Sequence, residues 1–230
     1  MKISKLALSG LFLFTPLAQA ADPAPAAAPA AAPVATAPTE KKYTGEEAKL
    51  QTFMSEVFEA SRKVNTEGAD KTASREKIQK AMDWERVAKD CLGTSAWNKA
   101  SAANRKSYKD LLEDVIIRTA YTRVDTFMTG ATYEFKEIQV KGKDAHVQAV
   151  FKQGVDDFTL DYYLGKKGAG WQVYDIAFED IRYSENIREQ IKAFLSEKGF
   201  PSLLAKLKER RDKLVEDAKT PAAAPAKKAS

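Results

Sequence analysis

The sequence predicts an α+β domain: a curved, four-stranded antiparallel sheet with helices packed on one face and an apolar cavity between the layers. Three observations carry this. Apolar stripes at helical spacing run from Thr44 to Met128. Four stretches of strand alternation follow, between Ala131 and Glu179, joined by turns too short for anything but antiparallel neighbours. Helical spacing then returns from Ser184 to Asp217.

The first helix opens at Thr44-Gly45-Glu46-Glu47, which has the spacing of a capping box, and carries Leu50, Phe53, Met54, Val57 and Phe58 on one stripe. Gly68 is placed to end it. Thr72 to Met82 reads as a short second helix. Asp83 can cap a third, whose stripe of Trp84, Val87, Ala88, Cys91 and Leu92 stops at Gly93. Ser101 to Met128 reads as the longest helix. It is apolar on two sides, with Tyr108, Leu112, Val115 and Ile116 in one row and Ile117, Tyr121, Val124 and Met128 in another. A helix of that kind is buried from two directions, either by core alone or by core and a cavity.

The strands are Ala131–Val140, Asp144–Lys152, Asp157–Lys166 and Trp171–Glu179, with Gly142, Gly154, Gly168 and Gly170 in the turns. A two-residue loop at Gly154-Val155 pairs Phe151 with Phe158, Ala149 with Leu160 and Val147 with Tyr162. Pairing Leu164 with Trp171 then sets Tyr162 opposite Val173. One face therefore reads Val147, Ala149, Phe151, Phe158, Leu160, Tyr162, Leu164, Trp171 and Val173. The other carries Gln148, Lys152, Thr159, Asp161 and Gln172 and is at least partly wet. A helix from Ser184 to Lys198 ends at Gly199, and a last one runs from Ser202 to Asp217.

The ends have a different character. Met1 to Ala20 has a basic start, a short apolar run and a small-x-small site at Ala18-Gln19-Ala20, the three parts of a cleavable export signal. Residues 21–42 are rich in Ala and Pro and are expected to be a disordered linker. Residues 217–230 are expected to be a similar Ala/Pro/Lys tail, leaving 43–216 as one domain. The net charge of +5 comes from those ends: Tyr43 to Glu216 holds 30 Lys and Arg against 29 Asp and Glu. That balance argues against a nucleic-acid partner, which draws positive charge onto the folded surface. With one His and one Cys, a metal site or a Cys-His dyad has nothing to build on. No cofactor is expected.

One acid stands out. Asp175 alternates with Trp171 and Val173, which places it on their face. An acid in that position is expected to pair with a cation, Arg118 or Arg188. A carboxylate-pair hydrolase could draw only on Asp161 and Asp175, and in this register they point to opposite faces.

Leu92-Gly93, Trp97, Ser101, Arg105, Tyr108, Leu111, Leu112, Arg118-Thr119 and Tyr121 form one block. Trp171-Gln172-Val173-Tyr174-Asp175-Ile176 with Ile181, Asn186 and Arg188 forms a second. Gly199 with the Leu203–Leu207 helix closes the pattern. In order and spacing these resemble the MlaC-type, or toluene-tolerance, family of periplasmic phospholipid-binding proteins. Here Asp180-Ile181-Arg182 replaces that family's Gly-Val-Ser. The resemblance implies an NTF2-like sheet and a non-enzymatic carrier working in the periplasm. Its implied partners are phospholipid, an outer-membrane lipoprotein complex, and an inner-membrane ABC transporter with an MCE-domain protein. Acyl chains would contact Val115, Tyr121, Val124, Val147, Ala149, Phe151, Phe158, Leu160, Tyr162, Leu164 and Val173. Trp171, Asp175, Arg118 and Arg188 would serve structure. An envelope adaptor or chaperone without a lipid ligand is the alternative.

Overall fold

The computed structural model describes residues 42–64, 71–122, 124, 128, 130–153 and 156–219. The export signal, nearly all of the linker, the end of the tail, Gly68 and the Gly154-Val155 turn lie outside the described residues. Among the described residues the chain runs in the order α1 (Gly45–Lys63), α2 (Lys71–Ala81), α3 (Trp84–Leu92), α4 (Thr94–Lys99), α5 (Ala102–Tyr121), β1 (Thr132–Lys141), β2 (Asp144–Gln153), β3 (Asp156–Lys167), β4 (Gly170–Phe178), β5 (Ile181–Arg182) and α6 (Tyr183–Asp217). The strands form one antiparallel sheet in sequential order, with helices packed against it. The sequence reading missed α4 and the two-residue β5.

Helix boundaries follow local chemistry. Asp83 accepts from the backbone N–H of Arg86 at 3.3 Å and Ser101 from that of Asn104 at 3.2 Å, each capping its helix. Thr44 starts α1 in extended geometry, but its side chain makes no cap bond, so the capping box is not formed. Between α3 and α5 the chain turns a corner at Gly93, where φ is +83°. Arg105 fastens that corner by donating to the carbonyls of Ala100 and Asn98, and its guanidinium lies 5.7 Å from the Trp97 ring. The Gly93-to-Arg105 motif is therefore a structural corner. Helix α5 closes at Tyr121, not at Met128, with Thr122 as its C-cap. Two helices were expected after the sheet, and α6 delivers them as two limbs bent at Gly199, whose φ of 74° and ψ of 173° are not helical.

The β2–β3 register is the expected one: Phe151 faces Phe158, Ala149 faces Leu160 and Val147 faces Tyr162. The β3–β4 register is not. Leu164 faces Val173 and Lys166 faces Trp171, two residues from the expected pairing, because the turn falls at Gly168-Ala169. A bulge in β4 between Val173 and Asp175 then shifts the ladder by one more, so that Tyr162 faces Ile176. One extra residue, Tyr174, reverses the facing of everything after it. Asp175 therefore leaves the face of Trp171 and Val173 and joins that of Tyr163 and His146.

Two apolar clusters hold the molecule. In one, Leu50, Met54 and Phe58 of α1 lie on the inner sheet face over Val147, Ala149, Phe151, Leu164 and Val173. In the other, α3, α5 and α6 pack on one another through Cys91, Tyr108, Leu112, Val115, Ile187, Ile191, Leu203 and Leu207. Met82 touches both clusters. Its backbone bridges to Val173, and the N–H of Asp83 bonds the Val173 carbonyl at 2.8 Å. That bridge and β5 together cover the β4 edge, which would otherwise expose unpaired backbone.

Candidate functional site

The inner face of the sheet, with α1 above it, gathers most of the apolar residues singled out in the sequence. Val147, Ala149, Phe151, Leu164 and Val173 are buried in one cluster, with Tyr162 alongside. Strand alternation aims all of them the same way. Phe58 of α1 is the hub: its ring centroid lies 4.8 Å from Tyr133, 5.1 Å from Phe151, 5.3 Å from Tyr162 and 5.8 Å from Phe135. Phe158 stacks on Phe151 at 5.3 Å.

Burial divides the cluster along the strands. Toward the turns at Gly142 and Gly168, Ile138, Ala145, Leu164, Trp171 and Val173 are buried and Val140 is half-buried. Toward the opposite end, Phe158, Leu160, Ile176, Tyr133 and Phe135 are only half-buried. That half-buried apolar rim is the part of the inner face nearest to solvent, with the Arg62 guanidinium 5.2 Å from the Tyr133 ring at its border. The side chains there supply contact area and no acid, base or nucleophile. Burial pushes the Tyr162 hydroxyl up, so it stays protonated.

Not every candidate joins this cluster. Val115 is buried among α3, α5 and α6 instead. Tyr121 ends α5 half-buried, with the Arg75 guanidinium 4.9 Å from its ring, and Val124 is half-buried just beyond. A separate groove of about 320 Å³ runs between α1 and α2. Glu56, Glu59, Lys63 and Lys77 stand along it together with Ala60 and Ala73, and none of the candidate residues lines it.

The four structural candidates resolve differently. Trp171 is buried in the inner cluster, its indole N–H has no acceptor, and Lys166 Nζ lies 5.4 Å from its ring. Asp175 forms no pair with Arg118 or Arg188, whose partners are Asp114 at 2.7 Å and Glu185 at 3.9 Å. Asp175 Oδ1 instead accepts from the N–H groups of Ile176 (3.0 Å) and Ser184 (3.1 Å), and Oδ2 accepts from the Ser184 hydroxyl at 2.6 Å. These bonds tie the end of the sheet to the start of α6, where a carboxylate also meets the favourable end of the helix dipole. The bulge puts Asp161 and Asp175 on the same face, so the geometric ground for setting that pair aside fails. Both carboxylates are nonetheless engaged: Asp161 Oδ1 holds His146 Nε2 at 2.7 Å and Gln148 Nε2 at 3.0 Å. Cys91 is fully buried, and desolvation pushes its thiol up, away from the reactive thiolate.

Some features had no sequence signal. Arg86 lies over Tyr174 at 3.3 Å and Arg182 over Tyr163 at 3.8 Å, both on the outer side. Among the described residues, no group of three metal-ligating side chains occurs, and no helix is long and apolar enough to cross a membrane.

The inner sheet face under α1 is thus a continuous apolar surface, sealed over much of its area and half-buried at Phe158, Leu160 and Ile176. The MlaC protein family model matches residues 49–209, and the chain belongs to the MlaC family, a family of non-enzymatic lipid carriers. A search of curated proteins returns no match. Among solved structures, the chain is similar to the phospholipid-binding protein from Ralstonia solanacearum, determined in complex with a phospholipid. Identity is 22%, coverage is 74% of this chain and 98% of that one, and the TM-score is 0.62.

Proposed function

We propose that this protein is a periplasmic phospholipid carrier that shelters acyl chains against the inner sheet face. On this reading it shuttles lipid between an outer-membrane lipoprotein complex and an inner-membrane ABC transporter with an MCE-domain protein. The observation that carries it is the half-buried rim of Phe158, Leu160, Ile176, Tyr133 and Phe135, continuous with the sealed apolar face. Family membership and the phospholipid bound to the Ralstonia protein support it. Energetics ask for such a surface. A phospholipid in water exposes on the order of 30 methylenes at roughly 0.8 kcal/mol each, about 25 kcal/mol in all. Sheltering part of that area needs an apolar wall and no chemistry. In this reading residues 1–20 direct export, 43–216 carry the lipid, and the Ala/Pro-rich ends act as spacers.

The test is native mass spectrometry of protein purified from membrane-containing cells, comparing wild type with Leu160→Asp and Thr159→Asp. Leu160 faces the inner cluster, and Thr159, its neighbour in β3, faces the other side. Bound phospholipid is expected in wild type and Thr159→Asp and is expected to fall at least about fivefold in Leu160→Asp, because a carboxylate against acyl chains stays desolvated. Absence of phospholipid from wild type, both as purified and after incubation with vesicles, would sink the proposal.

A further inference from the structure

The hairpin between β4 and β5 has three properties that its role in the sheet does not explain. Ile181 is 61% exposed, the one large hydrophobic side chain so exposed among the described residues. The turn before it is Glu179-Asp180, with φ of 49° and 64°. Positive φ at both central positions is the type I′ pattern, which favours Asn and Gly; here two acids hold it at roughly 1 kcal/mol each. Finally, neither acid forms an ion pair among the described residues, and both are exposed.

Placement gives these properties a direction. Phe178 pairs with both Leu160 and Ile181, so the hairpin adjoins the half-buried rim of the inner face. Asp157 of β3 adds another exposed acid at the same end of the sheet. The opposite end is lysine-rich: Lys141, Lys143, Lys166 and Lys167 sit on two turns joined by the Lys166 N–H to Lys143 carbonyl bond at 2.7 Å. Lys166 and Lys167 are paired there with Glu46 and Asp83, whereas Glu179 and Asp180 stand exposed at the tip of their hairpin.

The geometry points to the β4–β5 hairpin as a docking element, with Ile181 entering an apolar recess on a partner protein whose rim of lysine or arginine receives Glu179 and Asp180. An anionic bilayer is the poorer occupant, because the carboxylates meet its negative surface potential. Turn strain and an isoleucine held in water each cost some stability, and a partner surface over Ile181 would recover the second of these. Docking there brings a partner's apolar recess against the rim through which lipid reaches the inner face.

This inference rests on the carrier reading. Its test measures binding of the full chain to the purified MCE-domain protein of the same organism, with lipid content followed in parallel by native mass spectrometry. Ile181→Ser is expected to weaken binding about tenfold, as loss of a buried apolar anchor does. The pair E179Q/D180N keeps the turn, since Asn tolerates positive φ, and is expected to weaken binding and flatten its salt dependence. Neither change should alter bound lipid. Unchanged affinity and salt dependence in both variants, with wild type binding, would overturn the hairpin assignment and leave the carrier reading standing. Failure of wild type to bind would overturn the assignment too, and the lipid content would report separately on the carrier. Ile181-dependent association with phosphatidylglycerol vesicles in place of the protein would also overturn it.

Discussion

Asp175 shows how much one side chain can decide. Its position in the second motif block suggests a buried ion pair, yet three hydrogen bonds from Ile176 and Ser184 satisfy it without any cation. Removing the carboxylate leaves two N–H groups and a hydroxyl without a partner in a buried corner. Asp175→Ala is therefore expected to lose about 3 kcal/mol in urea unfolding, and Asp175→Asn less than half of that, because the amide oxygen still accepts. Loss of under 0.5 kcal/mol in the alanine variant would remove the corner role. Glu46 gives the complementary case at the surface. Hydrogen bonds from Lys49 and Lys166 hold its carboxyl at about 2, below the ordinary 4.5. A lowered carboxylate stabilises the fold above its unfolded value, and that contribution is lost as pH falls from 4.5 toward 2. Glu46→Gln is expected to reduce the acid-side loss of stability across that window at low salt and to match wild type near about 1 M salt, where exposed pairs are screened. An NMR titration of Glu46 with a midpoint above 4 would contradict this.

At the scale of elements, Gly199 and the β4–β5 turn are opposite solutions to the same backbone problem. Gly199 sits at φ 74°, ψ 173°, a region essentially restricted to glycine, and no side chain crowds it. Gly199→Ala is expected to cost about 2 kcal/mol, measurable as a lower unfolding midpoint. The β4–β5 turn places Asp180 at φ +64°. Asp180→Gly is expected to raise stability by about 1 kcal/mol. No gain there would mean that the acid is held by something other than the turn. The same elements show what was legible. The Gly199 break and the cap at Asp83 are local, and the sequence displays them. The β2–β3 register was readable because a two-residue loop and matched apolar residues allow only one pairing. The β4 bulge was not, because Tyr174 alternates as smoothly as any strand residue and only packing from Ser184 and α6 makes the extra residue worthwhile.

For the molecule as a whole, the candidate site was legible as a face but not as a place. Period-two alternation put Val147, Ala149, Phe151, Tyr162 and Leu164 together, and they are together. Which end is half-buried, and that Val115 belongs to a different cluster, depends on where α1 and α5 settle. Val173 and Leu160 looked equivalent in the strands. Val173 is in fact sealed and adjoins the Met82 bridge, whereas Leu160 is half-buried. Val173→Asp is therefore expected to unfold the protein, and Leu160→Asp to leave it folded with less lipid, a difference that circular dichroism beside native mass spectrometry would show. By itself, the sequence determined the α+β class, the order of the four main strands and the apolar inner face. These follow from periodicity and composition, which are local properties of the chain. Only the tertiary structure decided the facing of Asp175, the half-buried end of the apolar face and the exposure of Ile181. Each of these is set by contacts between residues distant in sequence, whose packing outweighs the local pattern.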